Sequence, residues 1–250
     1  MISKIIQIMG TDTKFFGYEY DSYFLGLENH VGGNQVLLNL MMEKPHDSVM
    51  LDIGANIGLT AAIAARIFHS GKVIAIEPTP MASSALSEMV RENGFNNIQI
   101  MYCGAGKEIG NLFFNESQFL AGSYICSENE SNSKIKVVPT DIIVNILGLN
   151  RLDIVKIDVE GFELDVLEGM VETIKKFKPK VVAEFNSFAL ACNRKISPYD
   201  LGEYILEKFG KFQYLNGEEL KAVKTVEQLR QFIYWNMVSG SVTDIAFEAC

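Results

Sequence analysis

Two apolar segments joined by a glycine-bearing turn and a helix-like stretch constrain the fold of this chain most strongly. The first segment, Val49–Ile53, runs into Gly54 and Gly58, and the second, residues 73–76, ends at Glu77. A strand buried in a parallel sheet is a continuous apolar run, and a helix must return the chain before the next parallel strand begins. The sequence therefore predicts a β-α-β unit: a strand over 49–53, a helix over 57–69 and a strand over 73–77.

The turn and the carboxylate after these strands predict a site for a nucleoside-bearing cofactor. A helix N-terminus offers free backbone N–H groups, and an acid at the end of the second strand can accept hydrogen bonds from ribose hydroxyls. The order is Asp52-x-Gly54-x-Asn56-x-Gly58, which differs from the G-x-G-x-x-G of dinucleotide sites. Asn56 is of a residue type that tolerates positive φ. The pattern resembles motif I of the class I S-adenosylmethionine-dependent methyltransferases, in which the acid suits a methionine ammonium.

Strand and helix patterns alternate along most of the chain. Further strands are predicted over 98–103, 152–157, 180–185, 212–215 and 242–247, and further helices over about 81–93, 140–147, 163–176, 198–209 and 218–233. Such alternation predicts an α/β fold with a mostly parallel sheet and helices on both faces. With the resemblance, it indicates a class I methyltransferase (Rossmann-like) sandwich around a seven-stranded sheet.

One globular unit is expected, with a separate N-terminal cap. We expect residues 1–46 to form an irregular cap segment over the cofactor, with a helix after Asn34. We expect residues 47–250 to form the S-adenosylmethionine-binding domain. Residues 111–138 interrupt the alternation with Ser, Asn and Glu clusters. Because variable loops on a rigid scaffold commonly carry specificity, we expect this insertion to shape the acceptor pocket.

Composition excludes several other classes of protein. The formal net charge of −9 argues against broad phosphate binding, and the most apolar window, 49–68, contains Asp52 and Arg66, which argues against a membrane span. Four cysteines without metal-ligand spacing indicate reduced thiols. No signal peptide is evident. We therefore expect a cytoplasmic protein with no nucleic-acid or membrane partner.

A second group of acids follows the later strands. Asp158 and Glu160 come directly after strand 152–157, and Glu184 ends the next strand. Ligands of open α/β sheets bind at the carboxyl ends of the strands, so these acids face the same crevice. They are candidate catalytic residues: a general base, ligands of a hard divalent cation, or groups that orient a substrate hydroxyl. The sequence does not separate these roles, and no metal ligand is assigned.

Three further residues have simpler structural interpretations. Glu163 and Asp165 lie in the first turn of a helix, where acids interact favourably with the helix dipole. His30 reaches the cofactor only if the N-terminal segment folds over it. We therefore assign none of the three to catalysis.

The run Lys156-Ile-Asp158-Val-Glu160-Gly161-Phe-Glu163, taken with the Asp52–Gly58 pattern and Glu77-Pro78-x-Pro80, resembles the FkbM family of methyltransferases. The resemblance covers about residues 21–186. It implies S-adenosylmethionine as cofactor and methylation of hydroxyl oxygens, often on sugars or polyketides. Lys107 departs from the family pattern, which usually has an acid there.

By position, the resemblance assigns the site residues in three groups. The methionine and ribose part would be surrounded by Asp52, Gly54, Ala55, Asn56 and Gly58; the ribose hydroxyls would be held by Glu77, followed by Pro78; the adenine would lie beside Cys103, Gly104 and Ala105. Asp158 and Glu160 would line the methyl-transfer pocket.

The expected acceptor is a carbohydrate or other small molecule. A nucleic-acid methyltransferase on the same fold is a weaker alternative, because the chain is acidic and lacks the Asn/Asp-Pro-Pro-aromatic run of the amino-methylating relatives. A third alternative is a cofactor-binding or interaction module without catalysis, or a nicotinamide oxidoreductase. The paired acids are hard to explain in a scaffold without catalysis. The sequence leaves the acceptor, any metal requirement and the oligomeric state open.

Overall fold

The computed structural model describes residues 1–115, 124–125, 131 and 133–249. The strands are β1 (Ile2–Ile8), β2 (Thr11–Gly17), β3 (Val49–Ile53), β4 (Lys72–Ile76), β5 (Ile98–Met101), β6 (Gly104–Gly106), β7 (Gly110–Asn115), β8 (Tyr124–Ile125), β9 (Ser133–Pro139), β10 (Ile154–Ile157), β11 (Lys180–Asn186), β12 (Phe212–Asn216), β13 (Glu219–Val223) and β14 (Val242–Glu248). The helices are α1 (Ser22–Leu25), α2 (Gln35–Met42), α3 (Leu59–Ile67), α4 (Pro80–Glu92), α5 (Thr140–Ile146), α6 (Glu163–Glu168), α7 (Val171–Phe177), α8 (Ser187–Ala189), α9 (Pro198–Phe209) and α10 (Val226–Val238).

The central sheet has the order β13-β12-β14-β11-β10-β3-β4-β5. Strands β11, β10, β3, β4 and β5 run parallel, whereas β14, β12 and β13 are joined by antiparallel pairings. Strands β4 and β5 follow β3 towards one edge of the sheet, and β11 follows β10 towards the other edge. The strand order therefore reverses between β3 and β10, which is the position where open α/β sheets bind their ligands.

Two apolar clusters cover the two faces of this sheet. Leu51, Ile74 and Val155 belong to the cluster that contains α9 and α10 residues, and Met50 and Val73 belong to the cluster that contains α3 and α4 residues. Successive side chains of a strand point to opposite faces. Because both faces are covered, these strands need apolar residues at nearly every position, which explains the continuous apolar runs in the sequence.

The N-terminal segment is more regular than we predicted. Strands β1 and β2 form an antiparallel hairpin, and Ile6, Ile8 and Phe15 of the hairpin are buried. The side chain of Asn93, at the end of α4, accepts from the N–H of Lys14 and donates to its carbonyl oxygen, both at 2.8 Å. The prediction of an irregular segment was therefore wrong, because partners far along the chain stabilise the hairpin. The predicted helix after Asn34 is confirmed as α2, which Asn34 caps.

Two predicted helices also need correction. The helix predicted over 163–176 is divided into α6 and α7 near Gly169, where a Cβ atom would lie 1.9 Å from the carbonyl oxygen of Gly106. The helix predicted over 218–233 begins only at Val226, because Glu219–Val223 forms a hairpin with β12. This hairpin adds a strand, so the sheet has eight strands rather than the seven predicted.

The predicted insertion at 111–138 contributes to a second sheet. Its order is β6-β9-β7-β8, with β7 and β9 antiparallel. Residues 116–123, 126–130 and 132 of the insertion lie outside the described residues. No helix in the described part of the chain is long and apolar enough to cross a membrane.

Candidate active site

A cavity of about 540 Å³ opens at the carboxyl ends of the central parallel strands. Its wall is formed by the turns after β3 and β4, the acids after β10 and within β11, part of the second sheet, and the N-terminal residues Tyr23, His30, Gly33 and Asn34. Its volume is within the range of about 300–1,000 Å³ that is usual for small-molecule sites.

The turn after β3 brings the backbone to the cavity. Gly54 has φ +82°, and a Cβ atom there would lie 1.8 Å from the carbonyl oxygen of Asp158. The N–H groups of Gly54 and Ala55 donate to the carbonyl oxygen of Ile76 at 3.0 and 3.1 Å. Asn56 has φ +49°, which confirms that this residue occupies the left-handed region. The turn is therefore held against both neighbouring strands, and only glycine fits at position 54.

Glu77 is buried at the end of β4 and connects the two turns. Its Oε2 accepts from the N–H of Asn56 at 2.9 Å, and its Oε1 accepts from the N–H and the hydroxyl of Thr79 at 2.9 and 2.6 Å. Burial raises the pKa of Glu77, while the hydrogen bonds from Thr79 and Asn56 lower it. A carboxylate offers about four lone-pair positions, so these three donors leave about one for a ligand.

Lys156, which lines the cavity, forms an ion cluster with two acids. Its Nζ lies 3.5 Å from Oδ1 of Asp52 and 3.1 Å from Oδ2 of Asp158. Burial acts to lower the pKa of Lys156, but the charges of Asp158 and Asp52 outweigh burial and raise the pKa above its usual value. Asp52 is fully buried and does not line the cavity. The acid that we expected beside a methionine ammonium therefore faces the ammonium of Lys156.

A cluster of four carboxyl groups occupies the other side of the cavity. Asp158, Glu160 and Glu184 each offer an oxygen within 4.8 Å of the others, and Asp244 pairs with Glu184 in the register of β11 and β14. Burial, followed by the charge of Asp158, raises the pKa of Glu184 to about 9, of Glu160 to about 7 and of Asp244 to about 6. Adjacent carboxyl groups cannot all ionise freely, so this cluster shares protons near neutral pH. The oxygens of the first three residues also suit a hard divalent cation.

Glu163 holds the turn that presents Glu160. Its Oε1 accepts from the N–H groups of Val159 and Gly161 at 3.1 and 3.2 Å, and its side chain is fully buried. Glu160 has φ +54° and Gly161 has φ +104°, so this turn is strained and needs such support. Glu163 is therefore more than an acid at a helix terminus. Asp165 makes an ion pair with Arg194 at 2.9 Å.

Most of the predicted site residues lie on the cavity wall. Those that do are Gly54, Ala55, Asn56, Glu77, Pro78, Gly104, Ala105, Asp158, Glu160 and Glu184. Asp52, Gly58 and Cys103 do not line it. A Cβ atom at Gly58 would lie 2.5 Å from the side chains of Leu86 and Met89, so this glycine permits close packing of α3 on α4. Cys103 is buried in an apolar cluster.

Sequence reasoning missed Tyr23, Lys156 and Asp244 as wall residues. Burial raises the pKa of Tyr23 to about 12, and its ring lies 4.7 Å from that of His30, which also lines the cavity. The available signal for Asp244 was an acid in the interior of the largely apolar strand β14. No comparable signal existed for Tyr23, which lies in a segment rich in aromatic residues.

The reversed strand order, the glycine turn after β3 and the acid after β4 define a class I methyltransferase fold. The structure is similar to that of methyltransferase FkbM from Methylobacillus flagellatus KT, with a TM-score of 0.51 and 20% identity over 91% of this chain and 55% of that one. A family model described as the methyltransferase FkbM domain matches residues 52–214. The chain belongs to the FkbM methyltransferase family.

Two curated relatives are similar in sequence. Hexuronic acid methyltransferase AglP of Haloferax volcanii is 31% identical over 144 residues, which cover 57% of this chain and 59% of AglP. Methyltransferase sdnD of Sordaria araneosa is 27% identical over 173 residues, which cover 56% of this chain and 67% of sdnD. The match thus spans about three fifths of the length of AglP.

Proposed function

We propose that this protein is an S-adenosylmethionine-dependent methyltransferase that methylates a hydroxyl oxygen of a carbohydrate or other small molecule. The observation that carries the proposal is a single cavity at the strand-order reversal, with the Gly54 turn and Glu77 on one side and the carboxyl cluster on the other. Membership of the FkbM family supports the reaction class. The relatives named as a hexuronic acid methyltransferase and as methyltransferase sdnD support a small-molecule or sugar acceptor.

The cofactor side of the cavity has the chemistry that this cofactor requires. Glu77 has about one free acceptor position for a ribose hydroxyl, and the backbone at Gly54 and Ala55 permits close approach. Gly104 and Ala105, whose side chains are absent or small, leave room on the wall for an adenine ring. The bound cofactor supplies a methyl group on a sulfonium, which is a good leaving group. Asp52 contributes indirectly, by holding Lys156.

We assign proton removal from the acceptor hydroxyl to Glu160. A general base works best when its pKa lies near the working pH, and that of Glu160 is about 7. Glu184, with a pKa of about 9, keeps its proton at neutral pH, and we assign it as a hydrogen-bond donor to the acceptor. Asp158 is engaged by Lys156. The three acids thus divide into a base, a donor and a charge partner, and the cavity aligns the nucleophile and excludes water.

Calorimetry with S-adenosylmethionine, S-adenosylhomocysteine and NAD tests the cofactor assignment. A hydrogen bond to a charged acceptor contributes about 1.5–3 kcal/mol, so Glu77→Ala should weaken S-adenosylmethionine binding about ten- to a hundredfold. Glu218→Ala removes an exposed acid that does not line the cavity and serves as the control. Binding of NAD alone would reject the proposal, and equal affinity in both variants would reject the role of Glu77.

Turnover of Glu160→Gln tests the base. General base catalysis contributes about 10²–10⁴-fold, so kcat should fall at least about a hundredfold while the dissociation constant of S-adenosylmethionine changes little. Turnover of the natural chain should be retained when EDTA removes divalent cations. If EDTA abolished turnover and Mg²⁺ restored it, the three acids would instead act as metal ligands. Transfer of labelled methyl groups into RNA rather than into a metabolite and glycan extract would reject the acceptor class.

A further inference from the structure

We propose that the acceptor side of this cavity selects hydroxyl compounds without an acidic group, so that the acceptor is a neutral sugar or alcohol rather than a hexuronic acid. The inference rests on the proposed function for the location of the acceptor, and it narrows the substrate class of that same site. It separates this chain from AglP, whose name states a hexuronic acid.

The charges on the cavity wall carry the inference. Five carboxyl groups line it: that of Glu77 on the cofactor side, and those of Asp158, Glu160, Glu184 and Asp244 on the acceptor side. Within the described residues, Lys156 is the one lysine or arginine on the wall. Its Nζ lies between Asp52 and Asp158, so its charge is already matched by two carboxylates. A carboxylate on the acceptor would therefore find no free ammonium or guanidinium there.

Two basic residues outside the wall are already paired with acids. Arg194 donates to both carboxylate oxygens of Asp165 at 2.9 and 3.0 Å, and the Nζ of Lys107 lies 3.1 Å from Glu168. The sequence of residues 116–123, 126–130, 132 and 250, which are not described, contains no Lys, Arg or His. His30 is the remaining basic residue on the wall; it lies on the N-terminal segment against the ring of Tyr23.

The charges of the cavity wall disfavour an acceptor that carries a carboxylate. Proteins usually bind carboxylates with arginine in bidentate geometry or with another desolvated cation. Like charges brought together across an interface suppress the wrong partner. A hexuronate would add a negative charge beside an acidic cluster, whereas the matching hexose adds only hydroxyl groups, which can donate to these carboxylates. The one net positive charge of S-adenosylmethionine offsets only part of the cluster.

Chemical conversion of one acceptor pool tests the inference. Oligosaccharides from a glycan extract are divided by anion exchange into a neutral and an acidic pool, and half of the acidic pool is carboxyl-reduced, which converts its hexuronic acids into hexoses. The full chain is then incubated with methyl-labelled S-adenosylmethionine and each pool at equal sugar concentration. We expect at least tenfold more label in the neutral pool than in the acidic pool, and recovery of labelling after reduction.

A charge-reversal variant provides an independent readout. Asp244→Lys places a cation on the wall and should move the acidic-to-neutral labelling ratio at least tenfold towards the acidic pool. Asp244→Asn, the matched variant without the new charge, should move it less. Calorimetric binding of S-adenosylmethionine shows that each variant is folded.

The outcomes separate this inference from the function on which it rests. Equal or stronger labelling of the acidic pool by the natural chain would overturn the inference and leave the proposed function standing. An unchanged ratio in Asp244→Lys with intact cofactor binding would also overturn it. Absence of label from every pool, with the cofactor bound, would overturn both the inference and the proposed acceptor class. Failure to bind the cofactor would overturn the proposed function itself.

Discussion

Replacement of Lys156 by methionine should destabilise the protein strongly and in a pH-dependent way. Lys156 is 7% exposed and Asp52 is fully buried, and the Nζ–Oδ1 distance is 3.5 Å. Removing one partner of a buried ion pair costs about 3–5 kcal/mol, because the other charge is left unpaired. Asp52 can avoid being an unpaired buried charge by taking up a proton. A carboxyl group with a pKa of about 3.9 in the unfolded chain titrates about three pH units below pH 7. Its protonation at pH 7 therefore costs about 4 kcal/mol, at about 1.4 kcal/mol per pH unit. The two estimates agree.

The second estimate also fixes the pH dependence. Lowering the pH from 7 to 5 makes protonation of Asp52 cheaper by two units, or about 2.7 kcal/mol. The difference in unfolding free energy between natural chain and Lys156→Met should therefore shrink from about 4 to about 1.5 kcal/mol. The double variant Lys156→Met with Asp52→Asn leaves no fully buried charge at this position, because the side chain of Asp158, the other partner of Lys156, is 35% exposed and stays in contact with water. It should recover to within about 1 kcal/mol of the natural chain, since apolar or neutral replacement of a whole buried pair is often nearly neutral.

Urea denaturation at pH 7 and pH 5 measures all of these differences. Lys175→Met, at an exposed position on α7, is the matched control and should change stability by less than about 0.5 kcal/mol. Equal losses in Lys156→Met at both pH values would refute the protonation of Asp52. A double variant no more stable than Lys156→Met would refute the unpaired charge as the cause.

Two further predictions concern the backbone and the acid cluster. Gly54→Ala should destabilise the protein by several kcal/mol more than Gly94→Ala, because its new Cβ atom would lie 1.8 Å from the carbonyl oxygen of Asp158. Gly94 has φ +66° and nothing within 4 Å of such a Cβ atom, so Gly94→Ala should cost only the left-handed penalty of about 1–2 kcal/mol. Similar urea midpoints for both variants would contradict this reasoning. Glu184 has a pKa of about 9 in the folded chain and an ordinary pKa of 4.5 in the unfolded chain. Between these two pH values the folded chain keeps a proton that the unfolded chain has released. Stability should therefore fall as pH rises from about 5 to 9, and Glu184→Gln should flatten this slope; an unchanged slope would show that Glu184 is not the titrating group.

The central elements of this fold were predictable from local sequence. Apolar runs predicted β3, β4, β10 and β11 because these strands are buried on both faces. The positive φ of Asn56 and the convergence of Asp158, Glu160 and Glu184 followed from residue type and from the rule that parallel strands end at one edge. These features depend on neighbouring residues in the chain and on the general geometry of a parallel sheet.

Other features depended on contacts between distant parts of the chain. Asn93 stabilises the β1–β2 hairpin from the end of α4, and the backbone of Gly106 packs against Gly169, where the predicted helix is divided. Asp244 joins the acidic cluster only through the antiparallel register of β14 with β11, and Asp52 turns from a ligand candidate into the partner of Lys156 through the register of β10 with β3. Local patterns specify which residues become helix or strand, but burial and pairing determine the charge that a side chain meets, and both arise only when separate elements pack together.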